Sequence, residues 1–276
     1  MRAGALVFAL AAAAGGCMPL AAAPPGPRTV LVELFTSQGC SSCPAADAFV
    51  RELPALGLPR ARVVPLTFHV DYWNSLGWPD PFSSPAFTAR QQGYADAGHL
   101  RAPGGEEGLA GLYTPQMIVD GRVHFSGRRR DVALAEIRRA AEAAAVLDLA
   151  ATAALVDDRA EVTARVTPRT ADGKAEPDLR IFVAVAARAA RTKVTRGENG
   201  GATLDEAAVV RALSPPVPVS LAAGAPPVRV TVPRPADLPW SALELAVVVQ
   251  SAKTLHVAAA QAVTLVDGSP RRGEPR

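Results

Sequence analysis

Two cysteines separated by two serines, Cys40-Ser41-Ser42-Cys43, are the residues of this chain best equipped for chemistry. They follow a strand-like run and open a helix-like one. On a first helical turn this spacing lets two sulfurs meet. Unpaired backbone N–H groups and the helix dipole at such a start favour a thiolate over a thiol. Cys40 is therefore expected to have a lowered pKa and to act as the nucleophile. Cys43, further into the turn and more shielded, is expected to resolve the mixed disulfide that Cys40 forms. Pro44 suits this position, because its missing N–H has no intrahelical partner there.

The elements that must hold these sulfurs can be read on either side. Thr29–Phe35 is a nearly continuous apolar run and predicts a central strand of a parallel sheet. Ala45, Ala48, Phe49 and Leu53 share one face of a helix over Ser41–Leu53, which Pro54 ends. Arg62–Val70 predicts a second strand despite Pro65, giving a right-handed βαβ unit. Residues 71–113 form an aromatic-rich insertion, with a helix over Pro85–Ala97 and a Gly-rich loop over 98–111. Gln116–Val119 and Arg122–Phe125 predict a hairpin around Asp120-Gly121, and Asp131–Val146 predicts a helix. Beyond residue 147 the pattern changes. Glu161–Thr167, Val228–Val232 and Ser241–Leu245 alternate, Ile181–Val185 and Leu243–Val249 are richly apolar, and turn clusters separate them. Residues 147–266 therefore read as a sandwich-like β domain, and Asp267–Arg276 as a disordered tail.

The order strand, C-x-x-C helix, strand, helix, Thr114-Pro115 strand, hairpin and helix resembles thioredoxin across residues 29–146. The resemblance implies a cis peptide bond at Pro115 opposite the cysteines, with the backbone of Thr114 free to pair with an incoming peptide. It also draws attention to Glu33, an acid inside an apolar strand. Thioredoxins keep a buried acid in a similar strand, where it accepts the resolving cysteine's proton. The competing reading of Glu33 is an acid paired with an arginine. The predicted fold class is an α/β thioredoxin-like domain followed by a mostly-β, sandwich-like C-terminal domain.

Longer phrases extend the resemblance. VELFTSQGCSSCPAAD, FHVDYWNSLGWPDPFSSPAFTARQ, YTPQMIVDGR and RGENGGATLDEAAVVRAL are similar to an uncharacterised family of exported bacterial proteins, domain of unknown function 1223. Membership implies a thioredoxin-like fold and the Cys40/Cys43/Pro115 site over nearly the whole mature chain, and brings no substrate. Gly39 departs from ordinary thioredoxins, which place an aromatic residue before the first cysteine.

His69, Asp71, Tyr72 and Trp73 follow the second parallel strand, at the end of the sheet where ligands bind. His69 and Asp71 are candidates to line the redox site as proton carriers, whereas Tyr72 and Trp78 are expected to pack a second core. His99, His124 and His256 read as structural or solvated.

The N-terminus speaks to compartment. Arg2 and the apolar run Ala3–Ala14 have the make-up of a signal peptide over residues 1–23, followed by a stiff linker over 24–28. Two processing routes stand open. Ala14-Gly15-Gly16-Cys17 resembles a lipoprotein cleavage box, which would lipidate Cys17, and Ala21–Ala23 offers soluble release. Either route places the protein in the periplasm or outside the cell, in places that tolerate disulfides, and leaves Cys40 and Cys43 as the one pair. The chain has 276 residues, 49% of them apolar and 20% charged, with a formal charge of +3. These values fit a globular protein, and Arg128-Arg129-Arg130 reads as a solvated face rather than a nucleic-acid site.

Three functions compete. The first is a thiol–disulfide oxidoreductase needing no cofactor beyond its own disulfide, with a thiol- or disulfide-containing protein or a small thiol as partner. The second is copper(I) handling by Cys40, Cys43 and His69. The third is a binding module in which the disulfide is only a brace. Nucleic acid is not an expected partner, and contact with a membrane is expected only through a lipid on Cys17.

Overall fold

The computed structural model describes residues 28–58, 62–103, 111–169 and 176–266. The signal-peptide, linker, Cys17 and C-terminal-tail expectations lie outside them. The strands are β1 Val30–Thr36, β2 Val63–His69, β3 Gln116–Val119, β4 Val123–Ser126, β5 Leu147–Val156, β6 Arg159–Pro168, β7 Leu179–Lys193, β8 Thr203–Leu213, β9 Val217–Pro218, β10 Val228–Pro233, β11 Leu243–Ser251, β12 Val257–Val263 and β13 Leu265–Val266. The α-helices are α1 Pro44–Glu52, α2 Pro85–Ala97 and α3 Arg130–Glu142.

The expected fold class is not what these elements build. Among the described residues strand outweighs helix, 42% to 20%, and a single mixed sheet runs through both halves of the chain in the order β12-β11-β7-β8-β2-β1-β3-β4, with β9 joining β7. No thioredoxin-like α/β domain stands apart from a β domain. The reason lies at β2. It is parallel to β1 on one side, but its other side is taken by β8, parallel to it with Thr67 opposite Val209. The late strands thus extend the early sheet. Only β10, β6, β5 and β13 form a separate sheet, which packs against β7 and β11 through Val162, Val230, Val183 and Val247.

Alternation along β1 divides the first half of the core. Val30, Val32 and Leu34 meet Phe49 and Leu53, borne by or just after α1, and Ile137 of α3. Leu31 and Phe35 meet Phe68, Phe87 and Tyr94 on the side of α2. Period-two side chains send neighbours to opposite faces, so Glu33 goes with Leu31 and Phe35. Each large apolar side chain buried here contributes roughly 1.5–3 kcal/mol.

Local signals set the helix ends. α2 starts at Ser84, whose hydroxyl accepts from the Ala86 N–H at 3.2 Å, has Pro85 in its first turn, and stops at Gly98 with φ +64°. α1 begins later than its sequence pattern predicts. Residues 40–43 form a turn, with the Cys43 N–H on the Cys40 carbonyl at 3.2 Å, and Cys43 is the N-cap.

Candidate functional site

The turn that precedes α1 carries a disulfide between Cys40 and Cys43, with Cα atoms 5.5 Å apart. Because the helix opens at Pro44, Cys43 and not Cys40 occupies its mouth. Cys40 is also more deeply placed than expected of an attacking sulfur. It is 1% exposed and Cys43 is 0% exposed. Near Cys40, the Ser42 hydroxyl lies 3.3 Å from its sulfur.

The cover comes from the far half of the chain. The loop joining β7 to β8, residues 194–202, lies against the disulfide turn. Asn199 Nδ2 donates to the carbonyls of both Gln38 and Cys40, each at 2.9 Å. The Ser41 N–H donates to Glu198 Oε2 at 2.8 Å. Gly197 lets the loop approach Gly77 and Trp78. Its φ is +75°, and a side chain there would meet the Trp78 Cβ at 3.0 Å.

Under the turn is a buried polar cluster. α1 packs over β1 and β8, and residues of β1, β2 and β8 aim beneath it. Thr36 donates to Asp47 at 3.2 Å. His69 Nδ1 lies 2.7 Å from Asp80 Oδ2, and its Nε2 lies 3.7 Å from Glu206 Oε1. Gln38 ties these together, donating from its backbone to Asp80 and from its side chain to Glu206, both at 2.8 Å. Trp78 completes the set by donating to Gln38 Oε1 at 3.2 Å. The indole expected only to pack is thus part of this network.

Burial and neighbouring charge set the protonation states. Burial chiefly, then the charge of Glu206, pushes Asp47 up to about 8. Burial opposes a charge on His69, but the carboxylates of Asp80 and Glu206 outweigh it and raise the imidazole to about 9. Burial also works against an ionised Asp80, and there His69 prevails, holding that carboxyl below its ordinary value. Glu206 is raised, by burial first. At neutral pH the cluster therefore contains an imidazolium–carboxylate pair beside a carboxyl that keeps its proton.

Other candidate residues fall elsewhere. Glu33 faces α2, on the opposite side of β1 from α1, where Arg90 Nε donates to it at 2.6 Å and the Tyr94 hydroxyl also donates to it. Its arginine-paired reading describes this geometry, and the face it occupies separates it from the cysteines. Asp71 accepts from the Thr88 hydroxyl at 2.5 Å and so ties the segment after β2 to α2. The Thr114–Pro115 peptide bond is cis. Pro115 approaches α1 across Gly127, where a Cβ would meet Ala46 at 2.9 Å and Pro115 at 3.2 Å. His69 commits Nδ1 to Asp80, and with Cys40 and Cys43 joined in a disulfide the described residues contain no group of three or more His, Cys, Asp or Glu side chains placed to hold a metal ion.

Sequence reasoning missed Gln38, Asp47, Asp80, Glu198, Asn199 and Glu206. Signals for four of them were present. Asp47 is four residues past Cys43, the helical spacing that shares a face, and Glu198, Asn199 and Glu206 lie inside RGENGGATLDEAAVVRAL.

A family model described as "Protein of unknown function (DUF1223)" matches residues 31–250. A crystal structure of a protein from Agrobacterium tumefaciens is similar at 26% identity and a TM-score of 0.60, covering 91% of this chain and 99% of that one. HBP35 of Porphyromonas gingivalis is similar in fold at 15% identity and a TM-score of 0.63, covering 92% of this chain and 80% of its own. No curated protein matches.

Proposed function

The chain belongs to the DUF1223 family, and from that premise we propose that it is an exported thiol–disulfide oxidoreductase whose exchanging pair is Cys40–Cys43. The observation that carries the reading is Asp47. A proton-holding carboxyl, buried and one helical turn past Cys43, is costly to the fold, and perturbed acids of this kind concentrate at working sites.

In the reduced protein the Cys40 thiolate attacks one sulfur of a substrate disulfide. The new bond joins Cys40 to that sulfur, and the other substrate sulfur leaves as a thiolate. Cys43, which gives its proton to the ionised form of Asp47, the minor form at neutral pH, then attacks the Cys40 sulfur, closing the protein disulfide and releasing the second substrate thiolate. Two electrons move from the cysteine pair to the substrate, and the reverse sequence oxidises a substrate dithiol. Asp47 near 8 is matched to an ordinary thiol near 8.5, so the proton moves either way with little driving force. Because Cys40 is buried in the disulfide form, exchange requires its surroundings to yield. An oxidising compartment, as the leader-like N-terminus suggests, suits such a pair.

The same burial favours a second reading, a structural brace. Equilibration in glutathione buffers, followed by thiol alkylation and mass measurement, separates the two. An oxidoreductase interconverts fully while its near-UV circular dichroism stays native, and a Cys43→Ala variant accumulates glutathione on Cys40. A disulfide that opens only with loss of tertiary signal is a brace, and the oxidoreductase reading then fails.

A further inference from the structure

Among the described residues, Glu198 is the one carboxylate placed against the backbone of the disulfide turn from outside. Its Oε2 accepts the N–H of Ser41, the amide joined directly to the Cys40 carbonyl carbon, at 2.8 Å. Asn199, the next residue, fixes the loop by holding the carbonyls of Gln38 and Cys40. Gly197, the residue before, seats the loop against Gly77 and Trp78. Glu198 is therefore delivered to this spot by contacts on both sides, although its own side chain is solvent-exposed.

That placement has an electrostatic consequence. A turn leading into a helix offers backbone N–H groups to a nearby anion. In the reduced protein the anion to be stabilised is the Cys40 thiolate. Glu198 already occupies the Ser41 N–H, and it brings a negative charge next to the residue that must become negative. We infer that Glu198 is a positioning residue that restrains Cys40, disfavouring its thiolate and so favouring the disulfide over the dithiol. The inference rests on the redox reading of Cys40–Cys43 and adds a regulator to that site, supplied by the β7–β8 loop.

The other ionisable groups around the disulfide turn are Asp47 on α1, His69 on β2, Asp80 before α2 and Glu206 on β8. All are buried, whereas Arg196, in the same loop as Glu198, is exposed.

The test uses the full mature chain and three proteins: wild type, Glu198→Gln and Glu198→Ala. The glutamine can still accept from Ser41, and the alanine cannot. Each reduced protein is alkylated with iodoacetamide across pH 5–10, and each is equilibrated with glutathione. The expected result is that both variants alkylate at Cys40 about two- to five-fold faster at pH 7, with the pH midpoint moved down, and that the equilibrium shifts toward the dithiol by a similar factor, the range set by one exposed charge near a helix start. A purely structural role would leave Glu198→Gln like wild type and change only Glu198→Ala, and that overturns the inference. Normal exchange in all three proteins with unchanged midpoints also overturns it, while leaving the oxidoreductase reading intact. If no folded protein exchanges at all, both fail together.

Discussion

Asp47 lies one turn past Cys43 on α1, its N–H bonded to the Cys43 carbonyl at 3.1 Å, and both side chains are buried. Residues four apart share a helix face, so the carboxyl and the N-cap sulfur look into the same interior. That interior also holds His69, Asp80 and Glu206.

The first prediction concerns pH and stability. Asp47 ionises near 8 in the folded chain and about 3.9 when unfolded. Between those values the folded protein holds a proton that the unfolded chain has lost, so stability falls as pH rises through this window. Asp47→Asn keeps the group neutral and removes that fall. Urea unfolding at pH 5, 6.5 and 8 should show the variant gaining on wild type as pH increases. Equal slopes in the two proteins would contradict the protonated carboxyl. His69, raised from 6.5 to about 9, adds a separate loss of stability between those values, and the variant retains it.

Removing the imidazole should be severe. His69→Ala leaves Asp80 buried without its cation, a loss expected to be about 3–5 kcal/mol. The urea midpoint measures it. The double variant His69→Ala, Asp80→Asn should recover part of the loss, since no buried charge is then stranded.

Glu33 gives the opposite expectation for chemistry. It sits with Arg90 and Tyr94 on the α2 side. Arg90→Ala should cost about 3–5 kcal/mol by leaving that carboxylate unpaired. Glutathione exchange in the fraction that folds should match wild type, and a slowed exchange would mean that the sheet face does not isolate Glu33.

Gly121 tests the hairpin. With φ +63° and a Cβ position 2.0 Å from the Leu255 carbonyl oxygen, no side chain fits without moving backbone. Gly121→Ala is expected to lose more than about 2 kcal/mol, beyond the usual penalty for positive φ. A thermal melt reads this directly.

Much of the local structure could be read from residue patterns. Pro85–Ala97 and Gln116–Val119 hold at both ends, and β1 is offset by one residue from Thr29–Phe35. Periodicity and turn chemistry act over a few residues, so a single segment carries enough information to place such elements. The partnership of β2 with β8 is a different problem. Thr67 and Val209 are opposite one another across a long stretch of chain, and nothing in either strand's alternation names its neighbour. The thioredoxin resemblance filled that gap with a fold class that the single mixed sheet overturns. The same distance concealed the site's cover and half its floor, because Asn199 and Glu206 belong to the segment assigned to another domain. Helix placement mattered too. Starting α1 at Ser41 put Cys40 at the mouth, whereas Pro44 starts it and puts Cys43 there.

The β2–β8 pairing also bears on how the molecule is made. A fragment ending near residue 146 would leave β2, whose seven residues are all buried, as an outer strand with unmet amide and carbonyl groups. Such a margin recruits other chains. In the whole chain the later strand β8 closes that margin.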